Sequence, residues 1–275
     1  MARWRLIPFS RAGAEAQLAR SEALWQDVAG GVAPPTLRWY GYAAPAVVLG
    51  VGQSLELVDA AAARAAGYAV VRRTSGGTAV LADETMLALD VALPAAHPRA
   101  GTDVVAAYRW VGDAFRETLA VLAPGAALRL RLARPDEARR DQAAVRDAAA
   151  GSAGALRALA CFGTLSPWEV VLDAPGDAPG AGAAARKLVG LSQVRKRGVV
   201  LFQAGLYTTV RVAPLVALLR LGEAERGRLA ATLPARVAGL DDAGLLGSHL
   251  EALRQGVQAR LLDDAGGGAL SDRSG

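Results

Sequence analysis

Lysine is almost missing from this sequence. Among 31 lysine and arginine residues only Lys187 and Lys196 are lysine, so arginine is the default cation, and a compact ammonium on a flexible stem marks a place where a guanidinium fork was not used. Cysteine is scarcer still. Cys161 stands alone, which excludes an internal disulfide, and with only His97 and His249 beside it a structural zinc site is short of ligands; no metal site is expected. No apolar run approaches the length of a bilayer span, and Met1-Ala2-Arg3-Trp4-Arg5 lacks the uninterrupted apolar stretch of a secretory signal. The expectation is a cytoplasmic protein without a membrane partner. The basic residues are not interleaved with aromatics in an RNA- or DNA-binding motif, which sets nucleic acid aside despite a formal charge of +5. Acidic proteins and phosphorylated small molecules fit that charge equally well.

What the chain does have is apolar mass. With 275 residues, 52% of them hydrophobic, it can bury a sizeable core in one large domain or in one domain plus a small appendage. The abundant Ala, Arg and Gly read as a coding bias, so alanine-rich stretches carry little functional weight. Leu18, Leu24, Trp25 and Val28 predict an amphipathic helix over 12–29, closed by Gly30-Gly31. Strands are expected at 37–40 and 46–50, then a short helix from Val58 to Ala66. Leu87, Leu89, Val91 and Leu93 put one face of a further strand in the core. A long helix is expected over 103–122, a strand at 128–132, an exposed polar helix over 136–150 and a strand at 168–172. Asp173 to Gly182 reads as a flexible insertion of no chemical consequence. Strands at 198–203 and 206–210 follow, and from Pro214 the pattern is helical.

Three short stretches carry candidate chemistry. Lys196, flanked by Arg195 and Arg197, reads as part of a solvated basic turn, whereas Lys187, followed by the apolar Leu188-Val189-Gly190-Leu191, reads as an ammonium aimed at a carbonyl or phosphate oxygen. Between two strands, Arg72-Arg73-Thr74-Ser75-Gly76-Gly77 could hold an anion on backbone N–H groups and guanidinium. The same Ser-Gly-Gly also suits an ordinary hairpin turn. Cys161, in the loop before the 168–172 strand, is by type more often a small core residue than a nucleophile.

Together these stretches resemble one family. Arg38-Trp39-Tyr40 with Val48-Leu49-Gly50-Val51-Gly52-Gln53, then Arg72 through Asp83, then Arg186-Lys187-Leu188-Val189-Gly190-Leu191-Ser192-Gln193 match, in order and spacing, the lipoate-protein ligases and octanoyltransferases of the biotin/lipoate ligase superfamily. The resemblance covers about residues 10–212. It implies an α+β fold with a mixed, mainly antiparallel sheet flanked by helices and an acyl chain in a tunnel beside it. It also implies a catalytic domain over 1–212, a helical extension over 213–265 packed on it, and a disordered tail over 266–275.

By the same resemblance Lys187 reaches the acyl carbonyl, and Arg72, Arg73, Ser75, Gly76, Gly77, Asp83, Gly190, Ser192, Gln193 and Gly205 bind substrate. Cys161-Phe162 is similar to one group of octanoyltransferases, where ligases that use ATP carry Asn-Asp. A thiolate beside an ammonium is a nucleophile able to take an octanoyl or lipoyl group from an acyl carrier protein thioester and pass it to a lysine of a lipoyl domain. Backbone N–H groups near Gly77 or Gly190 would stabilise the oxyanion. The acceptor would be the glycine cleavage H protein or a 2-oxoacid dehydrogenase E2, and no cofactor is required. Two alternatives stand beside it: a lipoate-protein ligase using ATP and Mg2+ with lipoate or octanoate, and a non-catalytic acyl-binding member. Two departures bear on the second. Family histidines are replaced by Ala82 and Ala204.

Overall fold

The structure, a computed structural model, describes residues 4–174 and 185–263. Most of the 173–182 insertion and the whole 266–275 tail therefore lie outside the described residues. Ten strands occur along the described chain: β1 (Arg5–Ala12), β2 (Thr36–Tyr42), β3 (Ala46–Leu49), β4 (Ala69–Arg72), β5 (Val80–Ala82), β6 (Met86–Pro94), β7 (Leu130–Leu132), β8 (Val170–Leu172), β9 (Arg186–Lys196) and β10 (Val199–Tyr207). The helices are α1 (Ala14–Ala29), α2 (Ala60–Ala65), α3 (Arg109–Leu122), α4 (Pro135–Arg146), α5 (Ala153–Leu156), α6 (Ala213–Leu218), α7 (Glu223–Thr232) and α8 (Leu250–Leu262). Seven strands form one sheet in the order β1-β2-β6-β10-β9-β8-β7, and β4-β3-β5 form a second. Only β1 with β2 and β3 with β4 are parallel, so the α+β, mainly antiparallel expectation holds.

The large sheet is covered on both sides. On one face Leu37, Trp39, Leu89, Val91, Leu93 and Phe202 pack against Phe115 and Leu119 of α3 and Leu253, Val257 and Leu261 of α8. On the other, Leu24, Trp25 and Val28 of α1 pack on Ala92, Val199 and Leu201. A fully buried Leu or Phe contributes roughly 1.5–3 kcal/mol, so these two layers dominate the core. The alternation of β6 marked one buried face; α1 buries the other as well, including Asp90.

Three further expectations change. The strands around Ser75-Gly76-Gly77 do not form a hairpin: β3 lies between β4 and β5, so residues 73–79 cross the end of β3. The two strands expected at 198–203 and 206–210 are one continuous β10, in which Ala204 and Gly205 pair with Leu191 and Gly190. Asp173 belongs to no loose linker; it is buried, and its carboxylate accepts from Arg131 at 2.9 Å while Arg131 also grips Glu137 at 2.7 Å. The segment after residue 212 is woven into the rest: Val237 bridges to Lys187, Gly239 bridges to Tyr207, and Ala238 N–H donates to the Lys187 carbonyl.

Candidate active site

Where the small sheet leans over the large one, a cavity of about 270 Å³ opens. Its lining divides by chemistry: Leu18, Val48, Val80, Met86 and Ala88 are apolar, Tyr40 and Tyr42 add rings, and Cys161, Glu169 and Lys187 are polar. Such a division suits an acyl chain with a reacting carbonyl at its head, and the volume is near the lower end of the ~300–1,000 Å³ range of small-molecule sites.

Cys161 opens a single tight turn, Cys161–Gly163, and is half-buried. Its N–H donates to the Ala79 carbonyl at 2.7 Å, and Ala79 N–H donates to Leu159 at 3.0 Å, so the cysteine loop is stitched to the glycine loop. Gly77 has φ +89°, a region that favours glycine. A Cβ placed on Gly77 would lie 3.8 Å from Cys161 Sγ, and one placed on Gly50 would strike the Gly77 carbonyl. Close approach thus demands glycine at 50, and the positive φ favours it at 77. Among the described residues, the N–H groups of Gly76, Gly77 and Thr78 donate to no backbone carbonyl.

Lys187 enters from β9 and is 1% exposed. Its Nζ donates to Glu169 Oε2 at 2.8 Å, to Glu169 Oε1 at 3.0 Å and to the Cys161 carbonyl at 2.9 Å, with the Phe162 ring 5.6 Å away. Burial pushes the Glu169 carboxyl above the usual carboxylate range, while the Lys187 ammonium and the N–H groups of Ser166 and Leu191 pull it back. Burial likewise raises the Tyr207 hydroxyl well above 10.0, with the charge of Cys161 adding to it. Tyr207 donates to the Leu81 carbonyl at 2.7 Å and stacks on Phe162 at 5.0 Å.

Of the residues read as functional from sequence, Cys161, Lys187, Arg73, Gly76, Gly77, Gly190, Ser192, Gln193 and Gly205 line this cavity. Arg73 does so as a brace, donating to the carbonyls of Gly76 and Thr78 at 2.9 and 3.0 Å. Gln193 shapes the mouth, donating to Val104 at 2.6 Å. Arg72 and Ser75 instead line a neighbouring cleft against α1, which shares Leu18, Arg73 and Gln203 with the cavity. Asp83 is also outside; its carboxylate accepts from Thr85 N–H at 2.9 Å and Thr85 Oγ1 at 2.6 Å, closing the turn into β6. Ala204 faces the cavity, whereas Ala82 sits behind its wall, paired with Ala46.

Sequence reasoning missed Glu169 and the tyrosines. A single acid heading the otherwise apolar run Trp168-Glu169-Val170-Val171-Leu172 was the available signal, since an acid is almost never fully buried without a partner. Among the described residues no cluster of His, Cys, Asp and Glu is arranged to hold a metal ion, and no helix is long and apolar enough to cross a membrane.

Comparison with known proteins places this geometry in a context. The family profile of the lipoyl protein ligase A/B catalytic domain matches residues 14–259. Octanoyltransferase LipM of Kyrpidia tusciae is 32% identical over 256 residues, spanning 92% of this chain and 83% of that protein. Octanoyltransferase LipM of Moorella thermoacetica is 31% identical over 254 residues, spanning 90% and 81%. Among solved structures, the bipartite lipoate protein ligase of Thermoplasma acidophilum, described with its E2 lipoyl domain, superposes with a TM-score of 0.68 at 20% identity, covering 95% of this chain and 83% of that one. That likeness carries the fold.

Proposed function

The chain belongs to the lipoyl protein ligase A/B catalytic-domain family, and from that premise we propose that it is an octanoyltransferase, an enzyme that carries an octanoyl group on Cys161 and passes it to a lysine of a lipoyl-domain protein. The relatives named octanoyltransferase support the reaction. The observation that carries the route is the position of Cys161, half-buried in the cavity wall between Gly77 and the main-chain contact of Lys187.

The chemistry runs in two exchanges. The Cys161 sulfur adds to the thioester carbonyl of an octanoyl acyl carrier protein; the new C–S bond forms first, the old one breaks as the adduct collapses, and the carrier leaves as a thiol with the proton given up by Cys161. The acceptor lysine amine then attacks the acyl-cysteine, an amide forms, and Cys161 regains a proton from that amine. Both steps pass through a tetrahedral oxyanion, and Gly77, Thr78 and Lys187, all in the cavity lining, carry the main-chain N–H groups and the ammonium that would stabilise it. The first exchange trades one thioester for another and the second converts a thioester into the more stable amide, so the reaction needs no ATP. The acceptor is a lipoyl domain of the glycine cleavage H protein or of an E2 subunit, and the chain's net charge of +5 favours acidic partners, in a way that weakens with salt.

Intact-protein mass spectrometry of wild type and Cys161→Ser tests this, each mixed with an apo lipoyl domain and either octanoyl carrier protein or octanoate with Mg-ATP. The expected result is an octanoyl adduct on the wild-type enzyme and a modified lipoyl domain from the carrier protein, with the serine variant down by several orders of magnitude. Modification confined to the ATP mixture and unchanged by the substitution would replace this reading with a ligase.

A further inference from the structure

The two exchanges give no role to two charged side chains of the cavity wall, Arg73, which braces the glycine loop, and the fully buried Glu169; Glu169 is the one held against Lys187. We infer that it is a positioning residue for the transfer, fixing the Lys187 ammonium and the loop that carries Cys161. The inference rests on the octanoyl-transfer reading above.

Glu169 ties β9 to the loop that precedes β8. Its carboxylate accepts from Lys187 Nζ at 2.8 and 3.0 Å, from Ser166 N–H at 2.7 Å and from Leu191 N–H at 3.1 Å. Because Lys187 also donates to the Cys161 carbonyl, the segment from Cys161 to Ser166 is tied at both ends to the same ion pair. Removing either charge frees the nucleophile's loop at one end.

The backbone on both sides is shaped to deliver these two side chains. Trp168, directly before Glu169, has φ +66°, a conformation that costs a bulky residue of order 1–3 kcal/mol. It is held there by its N–H donating to Ala133 at 2.8 Å and by the Arg109 guanidinium 5.2 Å over its ring. Its carbonyl lies where a Cβ on Gly112 of α3 would be, so the helix must present glycine at that point. Opposite, β9 carries one extra residue against β8: Val170 pairs with Val189 and Val171 with Lys187. A bulge of this kind re-aims the side chains beside it. Burying an ion pair rarely stabilises a fold more than apolar residues of the same volume would, so strain and a bulge that meet at one buried pair point to a demand other than stability. Holding a reacting carbonyl, an ammonium and a thiol in register is such a demand, since a misplacement of about 1 Å can cost on the order of 10²-fold in rate.

The test compares wild type, Glu169→Gln and Glu169→Asp in steady-state transfer from octanoyl carrier protein to an apo lipoyl domain. Circular dichroism at the assay temperature gives the folded fraction. Glu169→Asp keeps the pair charge-balanced and so folds, but draws the carboxylate back by one methylene. The expected result is a kcat lowered by about 10²-fold for Gln and about tenfold for Asp, with both KM values within about threefold of wild type. Wild-type kcat per folded molecule in both variants, with only the melting temperature lowered, would reduce Glu169 to a charge partner and overturn the inference. Full kcat in Glu169→Asp alone would overturn it too, by showing that charge without placement is enough. A wild type that transfers nothing overturns the transfer reading itself, a failure distinct from both.

Discussion

Arg38–Asp90 and Lys187–Glu169 are both ion pairs with side chains no more than 2% exposed, and they are built to different plans. Arg38 and Asp90 face each other in register on β2 and β6. The guanidinium spreads over Gln17, Ser21 and Asp90 at 2.7–3.2 Å and stacks 4.1 Å over Tyr40, while Asp90 also accepts from Ser21 and Gln203. This pair fastens α1 to the sheet. Lys187 offers no fork; its ammonium meets one carboxylate and one main-chain carbonyl at the wall of a cavity, reached through a bulge and a left-handed residue. A planar fork suits a fixed joint, and a point charge suits a site where a substrate oxygen has to share it. If the transfer proposed above holds, that difference accounts for lysine at 187, one of two lysines among 31 basic residues.

The comparison can be strained at each pair. Asp90→Ala leaves the Arg38 cation buried without its acid and is expected to lower stability by about 3–5 kcal/mol, read as a shifted denaturant midpoint, with kcat per folded molecule close to wild type. A collapse of kcat at unchanged stability would erase the contrast. Lys187→Arg keeps the charge and should do the reverse: kcat down by about 10²-fold, with a smaller loss of stability than Asp90→Ala.

Alkaline pH probes both pairs more gently. Burial raises the hydroxyls of Tyr40, Tyr42 and Tyr207 above 10.0, with Asp90 adding to it at Tyr40 and Cys161 at Tyr207; Tyr42 is pushed up to about 12. A group whose folded value is raised contributes stability that is complete below its unfolded value and lost as pH climbs through the folded one. Unfolding free energy, read from denaturant midpoints, should therefore hold below pH 10 and fall between 10 and about 12, by about 1.4 kcal/mol per pH unit for each tyrosine. Phenolate absorbance should appear together with unfolding; its appearance in the folded state would show these hydroxyls to be open to solvent.

The parts legible in the sequence were those whose residue type was locally out of place. Two adjacent glycines after two arginines, a lysine where arginine is the rule, and a cysteine before a strand could each be noticed without knowing what lies across from them. Glu169 could not be placed that way, because its meaning comes from Lys187, Ser166 and Leu191, which only the folded sheet brings to it. Arg72 and Ser75 were misplaced for a related reason: a hairpin would have put them beside Gly77, but β3 intervenes and turns them toward α1. Asp90 hid in a strand whose alternation gave no sign that α1 would cover its second face.

The stitch between Ala79 and Ala160 also has a kinetic side. It joins points about eighty residues apart in the chain, and closing a segment that long carries an entropy cost which local contacts cannot offset until the sheet between them has formed. A nascent chain therefore holds no competent thiol until it has emerged past residue 160 and assembled β6 against β2. Octanoyl acceptance on Cys161 should then appear late in refolding, after the bulk of the secondary structure.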